Sequence, residues 1–150
     1  MDNTKIQKLY TDNGFGFPVQ IINAPLKKIR GSWALNLNTE GYAKTVLIAL
    51  SVKPARLTGN EIKFVRNYFE MTLKKFGNRF GEVAHSAVIK WEKFGDESTS
   101  MNWACEKDIR LFIFSELNPK LLVDAYTNLE KIAPIKTSKI KIDSSELLAA

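Results

Sequence analysis

The sequence predicts an α+β protein, mainly helical. A small N-terminal β-hairpin and one helix fill residues 1–56, a bundle of short helices residues 57–117, and a C-terminal helical appendage residues 118–150. Three observations carry this reading. Residues 32–38 alternate with a period of two, Trp33, Leu35 and Leu37 against Ala34, Asn36 and Asn38, as a half-buried strand does. Residues 57–91 instead space their apolar side chains at three and four, behind a Thr58 and Glu61 set as a capping box. Asn118-Pro119 then puts a capping residue before a proline, the start signal of one further helix.

Taken in order, residues 1–9 read as a frayed polar start, and Asp12-Asn13-Gly14 as a turn that Gly16 and Pro18 prolong. Residues 19–23 are rich in β-branched side chains, and Ala24-Pro25 resembles a turn. The strand at 19–23 and the one at 32–38 are expected to pair antiparallel, around a loop carrying Lys27, Lys28 and Arg30. A lone hairpin is marginal in water, so this one has to pack on something or pair with a partner. Thr39 is the expected cap of the next helix, whose inward face is Tyr42, Val46, Ala49 and Leu50 and which Pro54 stops.

Within the bundle, Ile62, Val65 and Phe69 share one face of the first helix. A second helix starts at Thr72 and buries Leu73, Phe76 and Phe80; Gly81 permits a sharp turn, and a third helix begins near Ala84. Ala84, Val88 and Trp91 recur at i, i+4 and i+7 and are expected inside. Trp91 therefore reads as core and not as a stacking platform. The opposite face carries His85, Ser86, Ile89, Lys90 and Lys93. A short helix, apolar on one side and rich in donors on the other, suits the major groove of DNA. His85, Ser86 and Lys90 are candidate base contacts, with Ile89 placed to touch a thymine methyl. Lys74, Lys75 and Arg79 on the preceding helix, with Lys93, are candidate phosphate contacts. Residues 92–100 are polar and loop-like. A fourth helix near Asn102 is expected to close the core with Cys105, Ile109, Phe112 and Ile113. The helix opened by Pro119 has Leu121, Leu122, Ala125, Tyr126, Leu129 and Ile132 as apolar positions and ends at Pro134. Beyond it, Ile140 and Ile142 alternate as in a strand, and a disordered tail fits the same residues equally well.

Composition narrows the function. A content of 45% hydrophobic and 25% charged residues is that of an ordinary globular chain. No apolar run approaches the roughly 20 residues of a membrane span, the N-terminus lacks a secretion signal, and the single Cys105 excludes an internal disulfide; the expected location is the cytoplasm. The net charge of +6 is unevenly spread: residues 52–95 hold nine basic side chains against four acids. A basic helical unit points to nucleic acid, although a solvated lysine face has the same composition. His85 is the only histidine, and one Cys with one His does not supply the roughly four ligands of a zinc site. Asp96 and Glu97 read as solvated turn residues, Trp103 and Cys105 as structural. No catalytic residue, metal or cofactor is expected, and the chain is not read as an enzyme.

One resemblance sharpens this reading. Leu57-Thr58-Gly59-x-Glu61-Ile62-x-Phe64-x-Arg66, then Phe76 and Arg79-Phe80-Gly81, then Ala87-Val88-x-Lys90-Trp91-Glu92-Lys93, resemble the Xre/Cro-type regulators, and among them the MqsA-like antitoxin branch. Tyr10-Thr11-x-x-Gly14 with Val19-x-Ile21 resembles that group's N-terminal hairpin, so the similarity runs over residues 10–117. The chain departs from the group in a longer loop between Gly81 and Ala84, in Ile89 where a polar residue is usual, in Phe94 before Gly95, and in lacking the two Cys pairs of the zinc-bearing members. The resemblance implies a lambda-repressor-like helix-turn-helix bundle. With the reading above, it makes the expected function sequence-specific DNA binding by a homodimer that represses transcription. Two alternatives stay open: an antitoxin that binds a protein toxin, and a protein-interaction module that has lost DNA binding.

Overall fold

The computed structural model describes residues 3–129 and 139–148. It is a mixed α+β fold in which an N-terminal sheet is followed by a series of helices. The sheet is built on β2 (Val19–Ile29). On one edge β2 pairs antiparallel with β1 (Thr4–Asp12). Along the other it pairs antiparallel with β3 (Ser32–Leu35) near its end and parallel with β4 (Ile140–Asp143) near its start. Between them run α1 (Thr39–Ser51), α2 (Gly59–Tyr68), α3 (Leu73–Arg79), α4 (His85–Glu92), α5 (Trp103–Leu117), a 3-10 turn at Pro119–Leu121, and α6 (Leu122–Leu129).

Several strand expectations are corrected here. Residues 4–9 are not frayed but belong to β1, an edge strand held by backbone pairing while its side chains stay largely in solvent, so no apolar alternation marks it. Ala24-Pro25 is not a turn, since β2 runs straight through it. Val19 and Ile21 are buried before Asn23, Ala24 and Leu26 after it, so the inward set changes from odd to even positions. Asn23, at φ +55°, makes this step, and it hides the strand from a period-two reading. Pro25 lacks a ladder donor, yet its carbonyl accepts from the Asn36 N–H at 2.8 Å. The true turn is Arg30-Gly31, both at positive φ as two-residue hairpin turns require. Lys27 and Lys28 therefore lie on the strand and only Arg30 in the turn.

The helices follow their caps. Asn38, not Thr39, caps α1, its side-chain oxygen accepting from the Gly41 N–H at 2.8 Å. Tyr42, Val46 and Leu50 are buried; Ala49 is only partly so. The Tyr42 hydroxyl donates to Asp12 at 2.8 Å, tying α1 to β1, and burial, then this bond, raises the phenol well above its ordinary range. Thr58 and Glu61 form the reciprocal capping box at α2, Thr72 caps α3 and Asn102 caps α5. Ile109 and Ile113 are fully buried beneath α5, with Cys105 and Phe112 at the margin. In α6 only Ala125 and Leu129 are buried; Leu121 and Tyr126, expected on the apolar face, are 46% and 52% exposed. Ile132 and Pro134 lie outside the described residues. The tail alternative resolves for residues 140–143, which form β4, and the Leu148 N–H beyond it donates to Thr45 of α1. One hydrophobic cluster runs from Val19 and Ile21 through Leu50, Ile62, Phe80 and Ile113 to Ile140 and Ile142. No helix among the described residues is long and apolar enough to cross a membrane.

The segment between α1 and α2 is held by charge. Lys53, at 2% exposure, donates to both oxygens of buried Glu61 at 2.8 and 3.0 Å, and Glu61 also accepts from the Thr58 N–H. Arg110 of α5 is fully buried. It donates to the carbonyls of Lys53 and Ala55 at 2.6 Å each and to Glu106 at 2.8 Å. The second oxygen of Glu106 takes Arg56 at 3.0 Å and the Leu57 N–H. Burial lowers the Arg110 pKa, and the Glu106 carboxylate works against that shift. Removing one partner from such a set strands a buried charge and bare carbonyls. Arg110→Ala is therefore expected to cost about 3–5 kcal/mol, read as a fall in the urea midpoint. An unchanged midpoint would show that this network does not hold the fold.

Candidate nucleic-acid interface

The surface around α4 begins with how the chain seats that helix. Gly81 at φ +90° and Glu82 at φ +50° form the turn between α3 and α4, and a Cβ on Gly81 would meet the Cys105 sulfur at 3.3 Å. Glycine is the residue that takes this conformation without strain. Val88 and Trp91 anchor α4 in the core. Ala84, expected inside, is exposed: it is the N-cap, still extended at φ −68° and ψ 157°, so the helical face that would bury it begins a turn later.

Both ends of α2 grip the far end of α4. At its start, Gly59 lies so close that a Cβ would fall 2.5 Å from the Trp91 carbonyl oxygen. The Gly59 and Asn60 N–H groups donate to Glu97 and Gly95, in the loop that follows α4. Those are the donors a helix start leaves unsatisfied. At its end, Arg66 makes a two-point pair with Glu92 at 2.6 and 3.1 Å and also donates to the Met71 carbonyl. Gly59, Arg66 and Glu92 thus orient α4 although none is on its outer face. Sequence reasoning missed these roles, because the contacts join residues up to 38 positions apart and nothing in the local spacing marks them.

On that outer face the structure places His85, Ser86, Lys90 and Lys93, all exposed; Ile89 is partly buried. Lys74 and Lys75 are exposed on α3. Arg79 stands apart. Its guanidinium pairs with Asp108 at 2.9 Å, 4.6 Å from the ring centre of Phe80, so it is partly neutralised and packed down. The basic excess of residues 52–95 is likewise reduced: Lys53, Arg56, Arg66 and Arg79 are each paired with a carboxylate. Within residues 52–95, the exposed cations without such a pair among the described residues are Lys63, Lys74, Lys75, Lys90 and Lys93. No side chain caps α4, whose positive helix end adds to their field.

Cys105, beneath the Gly81 turn, is half-buried; burial, then Asp108 and Glu106, pushes its thiol up to about 11. The Tyr68 hydroxyl donates to Glu40 at 2.7 Å and is pushed up to about 12, by burial first and this bond second. Compared with protein-family models, curated proteins and solved structures, the chain matches none.

Two outcomes follow. Gly81→Ala is expected to destabilise by about 1–3 kcal/mol, visible as a lower melting temperature; retention of the wild-type value would mean that the turn tolerates a side chain. The Cys105 thiol, raised in the folded state, favours folding fully below its ordinary pKa of 9.0, and that contribution disappears as pH climbs through about 11. Alkylation of Cys105 in the folded protein should accordingly keep accelerating up to about pH 11. A rate that levels off near pH 9 would contradict the burial argument.

Proposed function

We propose that α2–α5 form a lambda-repressor-like helix-turn-helix unit of the Xre/Cro type, and that the protein binds DNA sequence-specifically. In this reading α3 crosses the phosphate backbone with Lys74 and Lys75, while α4 enters the major groove with His85, Ser86 and Lys90 toward base edges and Lys93 toward phosphate. The observation that carries it is the seating of α4: a short helix, fixed at its C-terminal end by α2 and through Val88 and Trp91 by the core, presents exposed donors beside lysines that have no ion pair among the described residues. A rigid helix holding its side chains at fixed positions is what base readout demands. The ion pair at Arg79 makes it a weaker phosphate contact than the two lysines.

One α4 reads few bases, so the protein is proposed to act as a homodimer whose two helices sit about 34 Å apart on a palindrome, repressing transcription. The antitoxin reading of the MqsA-like resemblance is compatible with this, since a protein that binds a toxin can also bind its own operator. Partial burial of Ile89 leaves α4 with a polar outer face, which favours a groove over an apolar protein partner.

The test is an anisotropy titration of the protein's own upstream duplex against a scrambled one at several salt concentrations. Lys90→Ala should remove about 1–3 kcal/mol of discrimination between them. Lys74→Ala and Lys75→Ala should each weaken both duplexes alike and lower the log–log salt slope by about 0.9. Equal affinity of the wild type for both duplexes, with random-pool selection also failing to find a site, would overturn the sequence-specific reading. A single copy on the bound duplex by light scattering would overturn the dimer.

A further inference from the structure

A second basic surface lies on the N-terminal sheet. Residues 3–38 carry Lys5, Lys8, Lys27, Lys28 and Arg30 against the single carboxylate of Asp12. All five cations are exposed, and no carboxylate among the described residues pairs with any of them. Asp12 sits at the far end of β1, taken by Tyr42. The sheet register gathers the charges. Lys5 stands opposite Leu26, Thr4 opposite Lys27, and Lys28 opposite Trp33, so four of the five cations occupy the end of the sheet that closes at the Arg30-Gly31 turn. There Lys5 and Lys28 converge on one indole: their ammonium groups lie 4.5 and 5.8 Å from the Trp33 ring centre. The ring's negative face attracts each of them, and no carboxylate among the described residues pairs with either. Two like charges held over one ring, with Arg30 in the adjoining turn, concentrate positive charge at this end of the sheet.

We infer that this end of the sheet, with Lys5 and Lys28 over Trp33, Lys27 on the reverse face and Arg30 at the turn, is a second contact surface for the phosphate backbone of duplex DNA, separate from α3 and α4. The inference rests on the DNA-binding reading above and extends it to the β2–β3 hairpin. Lysine predominates here, and lysine is depleted in the interiors of protein interfaces, whereas phosphate contacts accept solvated ammonium groups. Such contacts add affinity and salt dependence without reading sequence. The hairpin then anchors the protein on the backbone while α4 reads the groove.

The experiment compares the full chain with a Lys27→Ala/Lys28→Ala/Arg30→Ala variant on the same own and scrambled duplexes across salt. A melting curve confirms that the variant folds, and Lys74→Ala/Lys75→Ala serves as a parallel control. Because each lost contact removes about 0.9 from the log–log salt slope, the triple variant should lose roughly 2–3 on both duplexes and keep its preference for its own DNA. The Trp33 share of the emission, taken as wild type minus Trp33→Phe, should change on adding the scrambled duplex. If the salt slope of the triple variant equals the wild type's while Lys74→Ala/Lys75→Ala lowers it, this inference is overturned and the groove reading stands. If the triple variant lowers the slope but no duplex is preferred, the sheet contact stands and the sequence-specific reading falls. Unchanged duplex binding with a lost affinity for anionic lipid vesicles would overturn the inference in favour of a membrane surface.

Discussion

Arg110 is the side chain on which most of this fold converges. Buried in α5, it reaches back to the carbonyls of Lys53 and Ala55 and holds them beside Glu106, which in turn takes Arg56 and the Leu57 N–H. An irregular segment buried at a helix junction has backbone groups that no helix or sheet satisfies, and a guanidinium with five donors is well shaped to meet several at once. Lys53 carries the network onward to Glu61, the same carboxylate that closes the capping box of α2. The start of α2 is therefore set jointly by a local cap and by a charge 49 residues downstream of Glu61.

That placement decides the geometry of the proposed interface. Because α2 begins where the network puts it, Gly59 meets the Trp91 carbonyl and Arg66 meets Glu92, and α4 is oriented from below. The chain thus divides its cations by depth. Lys53, Arg56, Arg66 and Arg110 spend their charge on internal carboxylates and carbonyls, where desolvation makes an unpaired group costly. Lys74, Lys75, Lys90 and Lys93, with the hairpin cations, remain in solvent, where they are available for the DNA contacts proposed above.

The helical part of the chain was largely legible. Thr58, Thr72 and Asn102 announce their helices because a cap acts within one turn, and the burial of Val88, Ile109 and Ile113 follows from helical spacing. The sheet was not. A polar edge strand such as β1 has no apolar period, and the left-handed Asn23 shifts the phase of β2 in mid-strand. β4 pairs with residues about 120 positions earlier, in parallel, and no local signal encodes such a crossover.

By itself, then, the sequence determined the α+β class, the starts of the main helices and the outward set His85, Ser86, Lys90 and Lys93, all consequences of interactions within a few residues. The tertiary structure decided that Ala84 lies outside, that Arg79 is paired, and which basic residues are free to meet a ligand. Charge counts add every cation alike, but a cation's availability depends on which distant carboxylate the fold brings within about 3 Å of it. That distance is settled only when the helices pack.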